Sequence, residues 1–307
     1  MTTMINNSTS AFYERASLGI GDLRKRAETI QTQLGSGQKL ARSSDNPVVA
    51  SRLRQLARSD ALSEIDKSNA NRATADLNLT DQALTSFNDY LQRVQEIATA
   101  AGNGTLTDSQ RAAYGVELQG IQSSMVALAN SRDSAGHSLF GGEMAGQPYS
   151  LDGSGNAVYS GTASAGQISL GEGQSVTRGL TGPEFLNFSV NGTPTDLMAV
   201  VKNLADALQG GSSDPAQAAR DSLGALSTGL DKLTTAQTVV GSRLSWIDLT
   251  TTHRTNLTEL RAQEETDIGA TDIPTATAQL SQMMTVLEAS QASFVKLASL
   301  SLFNSLS

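Results

Sequence analysis

With 307 residues, 38% hydrophobic but only 4% aromatic, the chain has material for two or three domains built on thin apolar seams, and too few rings for one thick core. A net charge of −8 with no basic block argues against nucleic acid or an anionic membrane surface as partner. The absence of cysteine excludes a disulfide framework and any thiolate metal site.

The opening residues MTTMINNSTSAFYERASLGI lack a basic start followed by an apolar core, so a cleaved secretory signal is not expected. No apolar run approaches membrane-spanning length. Tyr13, Ile20, Ala27 and Leu34 then recur at heptad spacing, with Ala16, Leu23 and Ile30 between them. That pattern predicts a helix with one narrow apolar seam. The helix is expected to stop at Leu34-Gly35-Ser36-Gly37, where closely spaced glycines end it. After Asp45, Asn46 is pushed towards extended backbone by the proline that follows, and Pro47 suits the first position of a new helix. Gly35, Gly37, Asp45 and Pro47 therefore mark a hinge between an end segment and the body.

From Pro47 to Ala101 there is no internal glycine or proline. Ala70, Leu77, Leu84, Leu91 and Ala98 form one register, and Ala73, Phe87, Val94 and Ala101 the other, interrupted by Thr80. A continuous helix here would run roughly 80 Å, a length that favours a coiled-coil body. Gly102-Asn103-Gly104 makes a turn, and Thr107-Asp108 can cap a helix carrying Tyr114, Leu118, Ile121, Met125 and Leu128 on one side. Gly115 and Gly120 inside that helix are read as sites of close backbone packing.

Beyond Gly136 the character changes. Glycine crowds residues 141–194, and short β-prone segments stand between the turns: Ala157-Val158-Tyr159, Gln167-Ile168-Ser169-Leu170 and Ser175-Val176-Thr177. A small all-β insert is expected. Helices resume after Thr195-Asp196, with Leu197, Val200, Val201, Leu204 and Leu208 on one face, and again after Asp214-Pro215, with Leu223, Leu226, Leu230, Leu233, Val240, Leu244 and Ile247. The register is then expected to slip by three residues to Leu257 and Leu260, a stammer that overwinds a coil locally.

The chain closes on a second thin seam. Ile273, Leu280, Leu287 and Phe294 keep heptad spacing, Ala276, Met283 and Leu297 interleave, and Leu302 and Phe303 carry the apolar side to the end. Pro274 raises the question of continuity at the start of this helix. Such a narrow seam does not offset the backbone entropy of so long a helix by itself, so it needs a partner, and the matching seam at the other terminus is the obvious one. The expected fold is mainly α: a long antiparallel helical body from the N- and C-terminal halves, with a β module at the midpoint. Its parts are terminal helices 1–46 and 273–307, a body of 47–140 and 195–272, and the insert 141–194.

Catalytic constellations are missing. His137 and His253, the two histidines, lack the spacing of a metal site, and Asp152-Gly153-Ser154-Gly155-Asn156 reads as a turn because it lacks the spacing and closing Glu of a calcium loop. Glu264 and Glu265 point in different directions on a helix and are read as a solvated face. Neither an enzyme nor a cofactor is expected.

Several segments resemble a family. Gln33-Leu34-Gly35-Ser36-Gly37-Gln38-Lys39 followed by Ser44-Asp45-Asn46-Pro47-Val48-Val49-Ala50, the edge Gly136-His137-Ser138-Leu139-Phe140-Gly141-Gly142, and the close Leu300-Ser301-Leu302-Phe303-Asn304-Ser305-Leu306 are similar to the flagellar hook-associated protein type 3 family, relatives of flagellin. Asn46 departs from the family's second acid and Ser138 from its aromatic. The resemblance implies an axial structural protein of the bacterial flagellum, stacked between the first hook-associated protein and flagellin, with its terminal helices in an inner coiled-coil tube. It implies export without a cleaved signal and capture before export by a cytoplasmic chaperone. Competing expectations are a short flagellin and, from another class, a cytoplasmic coiled-coil scaffold whose ends are ordered in the monomer.

Overall fold

The computed structural model describes the backbone of residues 3–306 and the side chains of residues 11–297 and 299. In chain order come α1 (Thr3–Ser36), α2 (Pro47–Ala101), α3 (Asp108–Ala129), β1 (Tyr149–Leu151), β2 (Ala157–Tyr159), β3 (Gln167–Gly171) and β4 (Gln174–Thr177). Then follow α4 (Gly182–Leu186), β5 (Asn187–Val190), β6 (Thr193–Asp196), α5 (Leu197–Asp206) with a π turn (Ala207–Gly211), α6 (Pro215–Gly269) and α7 (Ile273–Leu306). The fold is mainly α with a β insert at mid-chain, as the periodicities predict. The chain forms two compact units, a terminal one of Met1–Ala61 with Asn256–Ser307 and a central one of Leu62–Thr255.

The core of the central unit is the predicted seam of α2. Both registers, from Ala70 to Ala101, are buried, and so is Thr80, whose hydroxyl donates to Asp76 O within the helix at 2.9 Å. The polar interruption is thereby satisfied without leaving the seam. Against it pack Leu226, Leu233, Val240 and Ile247 of α6, Leu118 and Met125 of α3, and Leu197, Val201 and Leu204 of α5. Thr107 and Gln110 cap α3 reciprocally, Gln110 N donating to Thr107 Oγ1 at 3.3 Å and Thr107 N to Gln110 Oε1 at 2.9 Å. Gly115 meets the expectation of close packing, since a Cβ there would stand 3.0 Å from Ala205 O. Gly120 does not: nothing lies within 4 Å of the corresponding point.

The insert is three separate antiparallel hairpins, β1–β2, β3–β4 and β5–β6, rather than one sheet. Each strand is too short to carry a sheet, and each hairpin instead buries one or two side chains on the helices: Tyr149, Leu170, Val176 and Phe188. The Asp152 segment is a turn, as predicted; Asp152 Oδ1 accepts from Ser154 N and Asn156 N, both at 2.8 Å. Phe140, at the edge of the insert, enters a cluster with Phe87 and Phe185 whose ring centroids are 4.9–6.2 Å apart. Beside it, Arg178 bridges Asp76 of α2 (2.9 Å) and Asp133, tying the insert to the helical body.

The predicted slip in α6 does not occur. Val240, Ile247, Arg254, Arg261 and Ile268 continue the heptad as buried or half-buried positions, while Leu260 is 67% exposed. The seam passes through arginines, and in the terminal unit Arg261 is paired with Asp60 of α2 at 2.8 Å. Hydropathy follows the displaced leucines; the backbone follows the spacing.

Candidate assembly interface

Within the terminal unit, α1 and α7 pack antiparallel along the two predicted seams. Among the described residues of α1, Ala11, Tyr13, Ala16, Ile20, Leu23, Ala27, Ile30, Gln33 and Leu34 are the buried or half-buried positions; on α7 they are Ala276, Leu280, Met283, Leu287, Ser290 and Phe294. Tyr13 stands edge-on to Phe294, with centroids 5.6 Å apart, and its hydroxyl donates to Leu297 O at 3.0 Å. Two predicted members are more exposed: Ile273, at 56%, is the first residue of α7, and Leu297 lines the open end of the seam while its carbonyl accepts from Tyr13. The side chains of Leu302 and Phe303 lie outside the described residues.

Pro274 starts the helix instead of breaking it. Asp272 caps α7, accepting from Thr275 N at 3.3 Å and from Thr275 Oγ1 at 2.7 Å, and a proline in the first turn has no helical donor to lose. At the predicted hinge, Gly35 lies inside the last turn of α1, and Gly37, at φ +70°, reverses the chain with its N–H donating to Gln33 O at 2.8 Å. Asp45 Oδ2 accepts from Arg42 N at 2.7 Å, and Asn46 caps α2 through Val49 N at 3.2 Å, directly before Pro47. The two linkers run side by side, Lys39 N donating to Gly269 O (2.8 Å) and Thr271 N to Gly37 O (2.9 Å). Sequence periodicity has no signal for these ties. Nor does it show that Glu264, read as solvated, forms a two-pronged pair with Arg52 at 2.5 and 2.7 Å, whose hydrogen bonds hold its carboxyl below the usual range.

The pair covers little of itself. A cleft of about 420 Å³ opens between Phe12, Ala16, Ile20 and Phe294, where Gly19 and Ser293 supply no bulk. Phe12, Leu18, Met284, Val286 and Val295 remain exposed on its flanks. The pair thus keeps small residues in its seam and leaves large apolar ones uncovered outside it. Among the described residues there is no cluster of His, Asp and Glu able to hold a metal ion, and no helix is long and apolar enough to cross a membrane.

Residues 5–145 match the family described as bacterial flagellin N-terminal helical region. The chain is 32% identical over 135 residues to flagellar hook-associated protein 3 of Salmonella typhimurium, covering 44% of this chain and 43% of that protein. It is 24% identical over 313 residues to flagellar hook-associated protein 3 of Escherichia coli, covering 96% and 98%. The chain is thus similar to flagellar hook-associated protein 3 along nearly its whole length, and its N-terminal part to the helical region of flagellins. A solved flagellar hook-associated protein of Vibrio parahaemolyticus has the same fold, with a TM-score of 0.67 at 22% identity over 74% of this chain and all of that one.

Proposed function

We infer that this chain is a structural axial protein that joins the flagellar hook to the filament by helical stacking. The observation that carries the reading is the α1–α7 pair: one seam buried, its flanks apolar and exposed. The terminal stretches 1–46 and 273–307 act as assembly helices, 47–140 and 195–272 as the supporting body, and 141–194 as an outer insert. Gly35, Gly37, Asp45 and Pro47 set the joint between the first two. The neighbours are the first hook-associated protein on one side, flagellin on the other, and copies of the chain itself around the axis. Before export without a cleaved signal, a cytoplasmic chaperone covers the exposed flank of α7, where Met284, Val286 and Val295 need shielding from solvent. Burial of this flank, not a chemical step, is what the geometry offers.

The test mixes the purified chain with flagellin and the hook-side protein and images the product. The chain is expected at the boundary between the two. Long filaments of the chain alone, or no stacking, would overturn the reading. Leu287→Asp and Phe294→Asp, in the α7 seam, are expected to abolish incorporation while the melting of the central unit changes little; equal loss of melting temperature there counts against a dedicated assembly role.

A further inference from the structure

The seam with α7 occupies one side of α1, and another side of α1 carries a pattern of its own. Arg15, Leu18 and Asp22 stand at spacings of three and four, so they share a face, and all three are exposed, Leu18 to 64%. Arg15 Nε donates to Ala11 O within the helix at 3.0 Å, and neither Arg15 nor Asp22 forms an ion pair among the described residues. Gly21, three residues after Leu18, lies on the same face. A Cβ there would have nothing within 4 Å. The roughly 1 kcal/mol that a glycine costs in a helix interior is therefore not offset by packing within the single chain.

Where the two linkers meet, a cleft of about 580 Å³ lies between the start of α2 and the end of α6. Leu40, Leu53, Ala57 and Ala262 give it apolar walls, with Arg54 standing at it on α2 and Glu265 on α6. Neither of those charges forms an ion pair among the described residues, whereas Arg52 and Glu264 beside them take each other at 2.5 Å. The cleft is thus positive on one helix, negative on the other and apolar between them. Packed helices stand about 8–10 Å apart, and seven residues of helix put Arg15 and Asp22 about 10 Å apart. A base, a leucine and an acid on α1 therefore match an acid, an apolar floor and a base across the cleft. Leu18 lies roughly 28 Å along the chain path of α1 from Gly37 at the cleft, so a chain does not fill its own cleft.

We propose that α1 of one copy lies across this cleft of a second copy, Leu18 entering between Leu53 and Ala262 while Arg15 pairs with Glu265 and Asp22 with Arg54. Gly21 lets the helix come close. A face of one copy received by a different face of the next is a heterologous contact, which continues from copy to copy around an axis. The inference rests on the axial reading above.

The chain has no cysteine, so the contact can be tested with an introduced pair. Arg15→Cys and Glu265→Cys are combined in the full chain, isolated flagella are treated with a short bismaleimide, and the products are separated by size. A ladder of linked copies is expected, because each copy carries both halves of the contact, and neither single-cysteine chain should give one. Asp22→Arg should lower the ladder's yield by about tenfold or more by setting like charges opposite each other, and adding Arg54→Asp should restore it. Leu18→Ala should lower the yield too, with the melting temperature unchanged because that side chain is largely exposed in the free chain. A double-cysteine chain that sits in flagella and gives no ladder overturns the proposal. So does a product that stops at the dimer, or a ladder indifferent to Asp22→Arg. If even the unsubstituted chain is missing from flagella, the axial reading fails, and this contact with it.

Discussion

Two buried carboxylates share one guanidinium at the root of the insert, and that arrangement makes Arg178 the residue on which insert docking turns. Asp76 and Asp133 are nearly inaccessible, and Arg178 alone bridges them. Arg178→Met strands both acids in a poor dielectric, so a loss of about 3–5 kcal/mol in the stability of the central unit is expected from denaturant titration. Asp133 also sets a pH dependence. Burial pushes its carboxyl upwards, but donation from His137 N, the His137 ring and Ala135 N, with the charge of Arg178, outweighs burial and leaves it below the ordinary value of 3.8. A carboxyl whose folded value is depressed stabilises the fold fully above its unfolded value, and that stability disappears as pH falls through the folded value. Denaturation midpoints should therefore hold from neutrality down to about pH 4 and drop below it, and Asp133→Asn should flatten the drop. None of this was legible in the sequence, because Asp76, Asp133 and Arg178 are far apart along the chain and each looks like an ordinary surface charge.

At the scale of elements, the heptads carried most of the information. The seam of α2 is buried along its predicted registers, Thr80 included, and among the described residues those of α1 and α7 are buried or half-buried at the predicted positions, Ile273 and Leu297 aside. Legibility failed where the seam became polar. Arg254 and Arg261 hold the spacing in α6, but leucines one position off it, Leu260 among them, attract any reading based on hydropathy. It failed again at β6, where Pro194 speaks against a strand; in a two-stranded hairpin every strand is an edge, and proline is tolerated there. The two glycines of α3 give a prediction with opposite signs. Gly115→Ala forces a methyl against Gln209 and the Ala205 carbonyl and should destabilise by about 1–3 kcal/mol. Gly120→Ala meets open space and gains helix propensity, so it should stabilise by up to about 1 kcal/mol. Thermal melts of the two variants side by side check both signs, and a loss in both would mean that Gly120 packs against something.

For the whole molecule, the contrast between the two units is one of seam thickness. In the central unit, aromatic and branched side chains from α2, α3, α5, α6 and the hairpins converge on one core containing Phe87, Phe140 and Phe185. The α1–α7 pair has one row of contacts, with alanine at its best-buried positions besides Leu287. Burial scales with apolar area, so the free energy available to the pair is a fraction of that available to the core. Hydrogen exchange on the isolated chain should accordingly show two classes of amide. Those of α1 and α7 from Ala11 to Leu297 should open at a low free energy, while those of α2 beyond Ala70 exchange only through unfolding of the central unit. Phe87→Ala should lower the second class by about 3–5 kcal/mol and leave the first where it is. Leu287→Asp should do the reverse. If α1 and α7 gain a second row of contacts on stacking, as proposed above, their protection should rise on incorporation without any change in the central unit. A monomer in which both classes exchange together, at the free energy of the core, is incompatible with terminal helices that gain their stability from neighbours.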